Sequence, residues 1–247
     1  MKKVNFDNYL FRCSSLGKLM VNPRNKKDLL SATTKRYLHE IHKEVLFGKT
    51  TEIESKYLSK GIQVEDDSIK MLNNVTGLGF DKNMEFFEDD YICGTPDIID
   101  RPKIDDKYKV CLIDIKSSWD FTTFPMHEDH LPNKDYYWQM QGYMSLTDVN
   151  TSTVAYCLVD TPTQLIQDEV RRLGWKLGMI EVPMDLEAEV YERLQYADIP
   201  EELRIKKFVV EYSPEDIERL YERIEVCREY LTDLSVGLGE RIINPII

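Results

Sequence analysis

The sequence predicts a mixed α/β fold, and three observations carry that expectation. Segments with apolar residues at helical spacing alternate with short runs of β-branched and aromatic residues. Three such short runs follow one another with close turns between two helical segments, and a fourth follows the second helix. The longest uninterrupted apolar run, Val154–Val159, lies in that fourth strand and is apolar enough to be buried on both faces of a sheet.

The elements read as follows in chain order. Asp28–Phe47 is predicted to be a helix, with Leu29, Leu30, Leu38, Ile41 and Val45 as apolar positions and Gly48 as its stop. Lys56–Asn74 is predicted to be a second, continuous helix ending before Gly77. Three strands follow, Met84–Phe87, Tyr91–Ile99 and Tyr108–Ile115, separated by turn chemistry at Glu88-Asp89-Asp90 and Arg101-Pro102. Close turns between short strands suggest an antiparallel meander. Lys134–Leu146 is helical, Thr151–Val159 a strand, Thr161–Leu173 helical and Phe208–Tyr212 a strand. The last helix is well signalled: Ser213 suits the N-cap and Pro214 the first helical position. Ile217, Leu220, Tyr221, Ile224 and Leu231 then recur at helical spacing. No repeat, low-complexity tract or linker divides the chain.

Composition excludes several classes. Of the 247 residues 42% are hydrophobic and 31% charged, too apolar for a disordered chain. No apolar run approaches a membrane span, and Met1-Lys2-Lys3-Val4-Asn5-Phe6-Asp7 lacks the apolar stretch of a secretory signal. Five scattered cysteines with no C-x-x-C pair argue for thiols in a reducing cytoplasm, and against a structural zinc or an iron–sulfur cluster. The net charge is −12, but it is uneven. Lys18–Glu44 holds seven basic residues against three acidic, whereas 181–233 holds sixteen acidic against seven basic. The first stretch offers one electropositive face to a polyanion despite the overall charge.

Four places concentrate chemistry. In Leu112-Ile113-Asp114-Ile115-Lys116-Ser117-Ser118, Asp114 and Lys116 share one face of a strand while Ile113 and Ile115 point into the core. A lone charge at such a position is costly, so the two need each other or a ligand; a structural ion pair is the plainer reading. In Tyr91–Asp100, Asp97 sits among apolar strand residues, with Gly94 and Pro96 placed to interrupt pairing and admit a ligand. If that strand neighbours the Asp114 strand, two carboxylates converge and repel unless a cation lies between them. Hard oxygen donors of this kind favour Mg²⁺ or Mn²⁺. Gly61 and Glu65 are four apart on the second helix, where a glycine would allow close approach to the sheet and carry Glu65 toward the aspartates; taken alone, a surface glutamate beside Asp66 and Asp67 is the plainer reading. Gln139 and Tyr143 are again four apart on one helical face, and a buried Gln139 needs a polar partner. His127-Glu128-Asp129-His130 reads as a solvated loop, and His39-Glu40-Ile41-His42 lacks the spacing of a zinc protease.

The order of these pieces (helix Glu, strand Asp, strand Asp-x-Lys, helix Gln-x-x-x-Tyr) resembles the PD-(D/E)XK nuclease superfamily. Gly-x-x-x-Glu with Gln-x-x-x-Tyr is similar to the branch holding phage lambda exonuclease, the YqaJ-like viral recombinase nucleases and the RecB-type nuclease domains. Cys13-Ser14-Ser15-Leu16-Gly17-Lys18-Leu19 resembles the stretch that opens YqaJ-like proteins. The resemblance covers residues 12–160. It implies a restriction-endonuclease-like core, a central mixed sheet flanked by helices with an added C-terminal helix. The whole chain, 1–247, would be one nuclease domain, with 161–247 an elaboration packed on the core.

The resemblance also implies roles. Glu65, Asp97 and Asp114, with the Ile115 carbonyl, would hold one or two Mg²⁺ or Mn²⁺ ions. Lys116 would orient or help deprotonate the attacking water. Gln139 and Tyr143 would shape the site, and Ser117 and Ser118 would meet DNA beside it. Lambda-type enzymes carry an arginine upstream of the serine segment for a 5′-phosphate; the corresponding place here is Asp7, which leaves Arg12, Ser14, Ser15 and Lys18 as the candidates for DNA contact. The expected activity is metal-dependent hydrolysis of DNA, foremost by an exonuclease acting on ends of linear duplex in phage or mobile-element recombination. An endonuclease or flap-type enzyme, or an idle DNA- or protein-binding module on the same fold, are the alternatives. The resemblance implies a ring-shaped homotrimer and a single-strand annealing protein as partners; some relatives carry a late cysteine cluster for an iron–sulfur centre, but this chain has only Cys227 there, so no such cluster is expected.

Overall fold

The computed structural model describes residues 5–50, 55–100, 103–104, 107–108 and 111–243, of which 103–104, 107–108 and 237–243 are described by backbone alone. The N-terminal half contains β1 (Phe11–Arg12), a 3-10 turn (Cys13–Ser15), α1 (Leu16–Leu19), α2 (Ala32–Phe47), α3 (Lys56–Gln63), α4 (Glu65–Thr76), β2 (Phe87–Glu88), β3 (Ile92–Gly94), β4 (Ile98–Asp100), β5 (Lys103–Ile104), β6 (Lys107–Tyr108) and β7 (Cys111–Ser117). The remainder contains α5 (Lys134–Thr147), β8 (Thr151–Cys157), α6 (Thr163–Leu177), α7 (Met184–Arg193), a 3-10 turn (Glu201–Arg204), β9 (Ile205–Glu211) and α8 (Pro214–Ile243).

The central sheet has the order β4-β7-β8-β9. β7 and β8 run parallel, joined by the crossover helix α5, while β4 and β9 flank them antiparallel. This is the mixed, helix-flanked sheet that the sequence predicts. Alternation along β7 sends its side chains into two layers. Ile113 and Ile115 pack with Ile69, Met71 and Leu72 of α4. Leu112 belongs to the larger core on the opposite face, with Met140 and Met144 of α5 and Ile217, Leu220 and Ile224 of α8. Each such buried Leu or Ile contributes roughly 1.5–3 kcal/mol. Asp114 and Lys116 therefore lie under α5, not toward open solvent.

Several expectations need correction. The second helix is not continuous: it breaks at Val64 (φ −112°, ψ 12°) into α3 and α4. Three consecutive acids, Glu65-Asp66-Asp67, suit the first turn of a new helix, and Val64 is pulled into the core at the break. Tyr91–Ile99 is likewise two strands. β3 joins β1 and β2 in a separate small sheet, and β4 joins β7, so Pro96 ends the pairing and no single antiparallel meander forms. The turn at Arg101-Pro102, part of the third predicted strand, and residues 1–4 lie outside the described residues. α2 starts at Ala32, because the Ser31 hydroxyl accepts from the Thr34 amide at 3.0 Å and caps the helix there. α7 has no counterpart in the sequence reading.

Two glycines allow close packing that the sequence does not show. A methyl at Gly17 would lie 2.6 Å from the Asp135 Cα, and one at Gly142 would lie 2.6 Å from Leu16 Cδ1. The Gly17-Lys18-Leu19 segment therefore rests directly on α5. Gly94 serves the same purpose, since a methyl there would lie 2.7 Å from the Tyr143 ring. Gly94 makes room for Tyr143, not for a ligand.

The C-terminal segment is integral to the fold. β9 completes the central sheet, and α8 buries Ile217, Leu220, Ile224, Cys227 and Leu231. Arg228, 6% exposed, donates from Nε and Nη2 to the Tyr9 carbonyl at 3.2 and 3.0 Å, and Nη2 also reaches the Asp90 carbonyl. It ties α8 to the chain entering β1 and to the turn before β3. Arg228→Ala is expected to cost roughly 1–3 kcal/mol in urea unfolding, because two part-buried carbonyls lose a charged donor and a buried side chain is removed. Arg228→Lys should recover only part of it, having no planar fork. No helix among the described residues is long and apolar enough to cross a membrane.

Candidate active site

The carboxyl half of β7, the segment before β4, α3 and the first half of α5 enclose a cleft of about 700 Å³. Glu65, Asp97, Asp114, Ile115, Lys116, Ser117, Ser118 and Gln139 all line it. Antiparallel pairing of β4 with β7 sets Ile98 opposite Ile113, which carries Asp97 to the edge of Asp114. Asp97 Oδ2 accepts from the Ile115 amide at 2.6 Å.

Asp114 is 1% exposed and held from two sides. Gln139 Nε2 donates to its Oδ1 at 3.0 Å, and Lys116 Nζ stands 2.7 Å from its Oδ2. Lys116 also donates to Gln139 Oε1 at 3.2 Å and lies 4.5 Å from the centre of the Tyr136 ring. Gln139 thus clamps both members of the Asp-x-Lys pair and satisfies its own buried amide in doing so. Tyr143 does not line the cleft. It is 5% exposed, and its hydroxyl lies 3.3 Å from Gln139 Nε2 and donates to the Thr95 carbonyl at 3.1 Å. Tyr143 therefore connects the Gln139 clamp to the segment that carries Asp97.

The electrostatics are those of excess negative charge in a confined place. Burial first, and then the charge of Asp114, push the Asp97 carboxyl up to about 8. Burial also works against the charge of Lys116, but Asp114, by charge and hydrogen bond, outweighs it and holds the ammonium above its ordinary value. One ammonium stands against the two carboxylates at the floor.

Glu65 occupies the opposite wall, in the first turn of α4, where its Oε1 pairs with Lys82 at 3.1 Å. It is not on one continuous helix with Gly61, and a methyl at Gly61 would meet nothing within 4 Å. Gly61 opens space in the cleft wall; it does not bring α3 closer to the sheet. Lys82 and Asn83 are residues of the site that the sequence reading missed. Asn83 donates from Nδ2 to the Pro96 carbonyl at 3.0 Å, and its amide donates to the Asp97 carbonyl at 2.8 Å, so it cradles the Asp97 segment. Both lie between helix and strand, where no periodicity marks them. Ser117 is hydrogen-bonded to Ser68 at 3.0 Å, and the buried Ser118 hydroxyl has no hydrogen-bond partner among the described residues.

The remaining candidates lie away from the cleft. Arg12, Ser14, Ser15 and Lys18 belong to the N-terminal segment packed against α5 and do not line it. The Ser15 hydroxyl is hydrogen-bonded to Tyr37, and Lys18 Nζ stands 4.6 Å over the Tyr37 ring. Residues 127–130 form an exposed loop.

The donors fit a hard divalent cation in an open site. Asp114 Oδ2 is buried and meets the Lys116 ammonium at 2.7 Å, with no other donor on it among the described residues. Among the described residues no three acidic, His or Cys side chains form a ready-made cage. Two carboxylates converge, and a third stands across the cleft. Mg²⁺ is commonly held in that way, by one or two carboxylates with water and substrate oxygens completing the shell.

No family model and no curated protein matches the sequence. Solved structures do. A phage-related exonuclease from Haemophilus somnus 129PT is similar over 94% of this chain and 97% of its own, at 29% identity and a TM-score of 0.74. An alkaline exonuclease from Laribacter hongkongensis shares the fold over 96% of this chain and 95% of its own, at 14% identity and a TM-score of 0.61. The same enzyme in complex with dAMP superposes with a TM-score of 0.62, at 14% identity, over 95% of this chain and 93% of its own. With the acidic cleft and its Asp-x-Lys strand, the chain shares the fold of phage-related and alkaline exonucleases, the likeness expected of a PD-(D/E)XK nuclease of the YqaJ and lambda type.

Proposed function

We propose that the chain is a Mg²⁺- or Mn²⁺-dependent deoxyribonuclease that degrades linear double-stranded DNA from its ends, in phage or mobile-element DNA recombination. The observation that carries this reading is the pair Asp97 and Asp114 at the floor of an open cleft, with Lys116 fixed between Asp114 and Gln139. Asp97 and Asp114, with the Ile115 carbonyl and with Glu65 directly or through water, would hold the ion. A divalent cation bound there lowers the pKa of water and offsets charge on the phosphate undergoing attack. Lys116 presents a positive charge to the same phosphate and is kept aimed by Gln139. Ser117, whose hydroxyl is bonded to Ser68, and Ser118, whose hydroxyl is buried, would meet the DNA along this wall of the cleft. Arg12, Ser14, Ser15 and Lys18 would meet the duplex outside the cleft, on the electropositive N-terminal face. Among relatives, the Laribacter hongkongensis enzyme has been solved with dAMP, a deoxynucleoside monophosphate. Carried over to this chain, that supports DNA as the polymer hydrolysed. A ring-shaped homotrimer and a single-strand annealing protein remain part of the proposal by family likeness.

The test is a cleavage assay on linear and covalently closed circular duplex with Mg²⁺, Mn²⁺ or EDTA. The expected outcome is metal-dependent loss of the linear DNA alone, with 5′- and 3′-labelled ends setting the polarity. Nicking of circles would replace the exonuclease by an endonuclease. Binding without cleavage of either substrate would leave a DNA-binding module. A monomer in light scattering at micromolar concentration would remove the trimer.

A further inference from the structure

A second groove, of about 440 Å³, opens beside the catalytic cleft, and Ser55 and Trp119 line both. α3 forms one wall through Lys56 and Ser59, and α6 forms the other, ending at Trp175. Trp175 is 77% exposed and has no ring partner among the described residues. On the catalytic side of the shared rim, Tyr57 is 57% exposed, with its ring edge-on to Trp119 at 6.1 Å. Exposed aromatic faces therefore stand at both ends of a continuous path.

Five charged side chains line the groove between them. Lys56 Nζ lies 4.4 Å from the centre of the Trp119 ring and 3.2 Å from Glu169. Arg172 pairs with Glu169 at 3.4 Å, and Arg171 pairs with Asp168. Three cations thus face two carboxylates. The two arginines pair within one helical turn and keep 55% and 60% of their side chains exposed. Exposed pairs of that kind are worth little, so a phosphate can take either guanidinium at small cost. A basic groove punctuated by exposed aromatics is the arrangement that binds single strands, phosphates on the cations and bases on the rings.

We propose that this groove binds a single-stranded stretch of nucleic acid continuous with the strand in the catalytic cleft, one base stacking on Trp175 and the phosphates meeting Lys56, Arg171 and Arg172. The assignment rests on the nuclease reading and adds to it a path that extends the substrate beyond the reacting phosphate. The experiment measures fluorescence anisotropy with labelled oligothymidylates of 4 and 16 nucleotides, in Ca²⁺, for the wild-type chain, Trp175→Ala and Trp175→Phe. The readout is the ratio of the two affinities. Trp175→Ala should reduce the advantage of the longer strand about tenfold, and Trp175→Phe, which keeps a stacking ring, should retain most of it. Arg171→Ala with Arg172→Ala should flatten the salt dependence for the longer strand by about 1.4 log units per decade. An unchanged ratio in Trp175→Ala overturns the proposal while the nuclease reading stands. An unchanged ratio together with a lower mass in light scattering overturns it in favour of a subunit contact. A wild-type chain that binds neither oligothymidylate but cuts linear duplex in Mg²⁺ overturns this proposal alone; one that also leaves linear duplex intact brings down the nuclease reading, and this groove with it.

Discussion

Asp114→Asn is expected to lower the rate of DNA hydrolysis by at least about 10³-fold while the fold survives. The substitution keeps the shape of the side chain and removes the charge to which both neighbours are fitted. Gln139 donates to one oxygen and Lys116 stands against the other, so the loss reaches three groups at once. A cation loses its most buried carboxylate. Lys116 loses the partner that holds its ammonium above the ordinary value, and burial then works against its charge unopposed. Two stability effects oppose each other: a buried ion pair is broken, and the repulsion on Asp97 is relieved. Circular dichroism and a thermal melt should therefore show a folded protein, and single-turnover cleavage at saturating DNA should show the rate loss. Activity within tenfold of wild type would mean that the reacting phosphate lies elsewhere.

The parts of this site that follow strand or helix periodicity could be read from the sequence. Asp114 and Lys116 share a face because strand side chains alternate, and Gln139 and Tyr143 share a face because a helix turns every 3.6 residues. What periodicity does not encode was not legible. The break at Val64 goes with Lys60, fully buried, whose ammonium donates to the carbonyls of Trp119 and Val159 at 3.0 and 2.8 Å, residues far away in the chain. Burial lowers that ammonium to about 8, a cost the fold accepts to hold α3 at the ends of β7 and β8. Lys82 and Asn83 act from an irregular segment. The close approach at Gly17 and Gly142 exists only once α5 and the N-terminal turn meet. The split of 91–99 between two sheets was signalled by Pro96, but nothing local tells which partner each half takes.

Asp97→Asn is expected to abolish hydrolysis and, in the absence of metal, to stabilise the protein at pH 8. Burial and the charge of Asp114 raise this carboxyl from its ordinary 3.8 to about 8. Between those values the folded protein keeps a proton that the unfolded chain has released. Its contribution to stability is thus complete below pH 4 and is lost as the pH rises toward 8. Asparagine resembles the protonated form at every pH and escapes that loss. The difference is on the order of 2–4 kcal/mol, which for a chain of this size moves the melting temperature by roughly 5–10 °C. In EDTA the variant should melt above wild type at pH 8 and beside it at pH 4.5. Mg²⁺ or Mn²⁺ should stabilise wild type at pH 8 far more than the variant, because the ion replaces the proton. Lys116→Met should destroy activity equally but shift metal-free stability the other way at pH 8, since it removes the one ammonium that the two carboxylates share. Opposite signs in stability with the same loss of activity distinguish a charged site built around a cation from a site held together by packing. Equal shifts for Asp97→Asn at both pH values would mean that Asp97 carries its charge without penalty, and the cleft would then have no electrostatic demand for a metal.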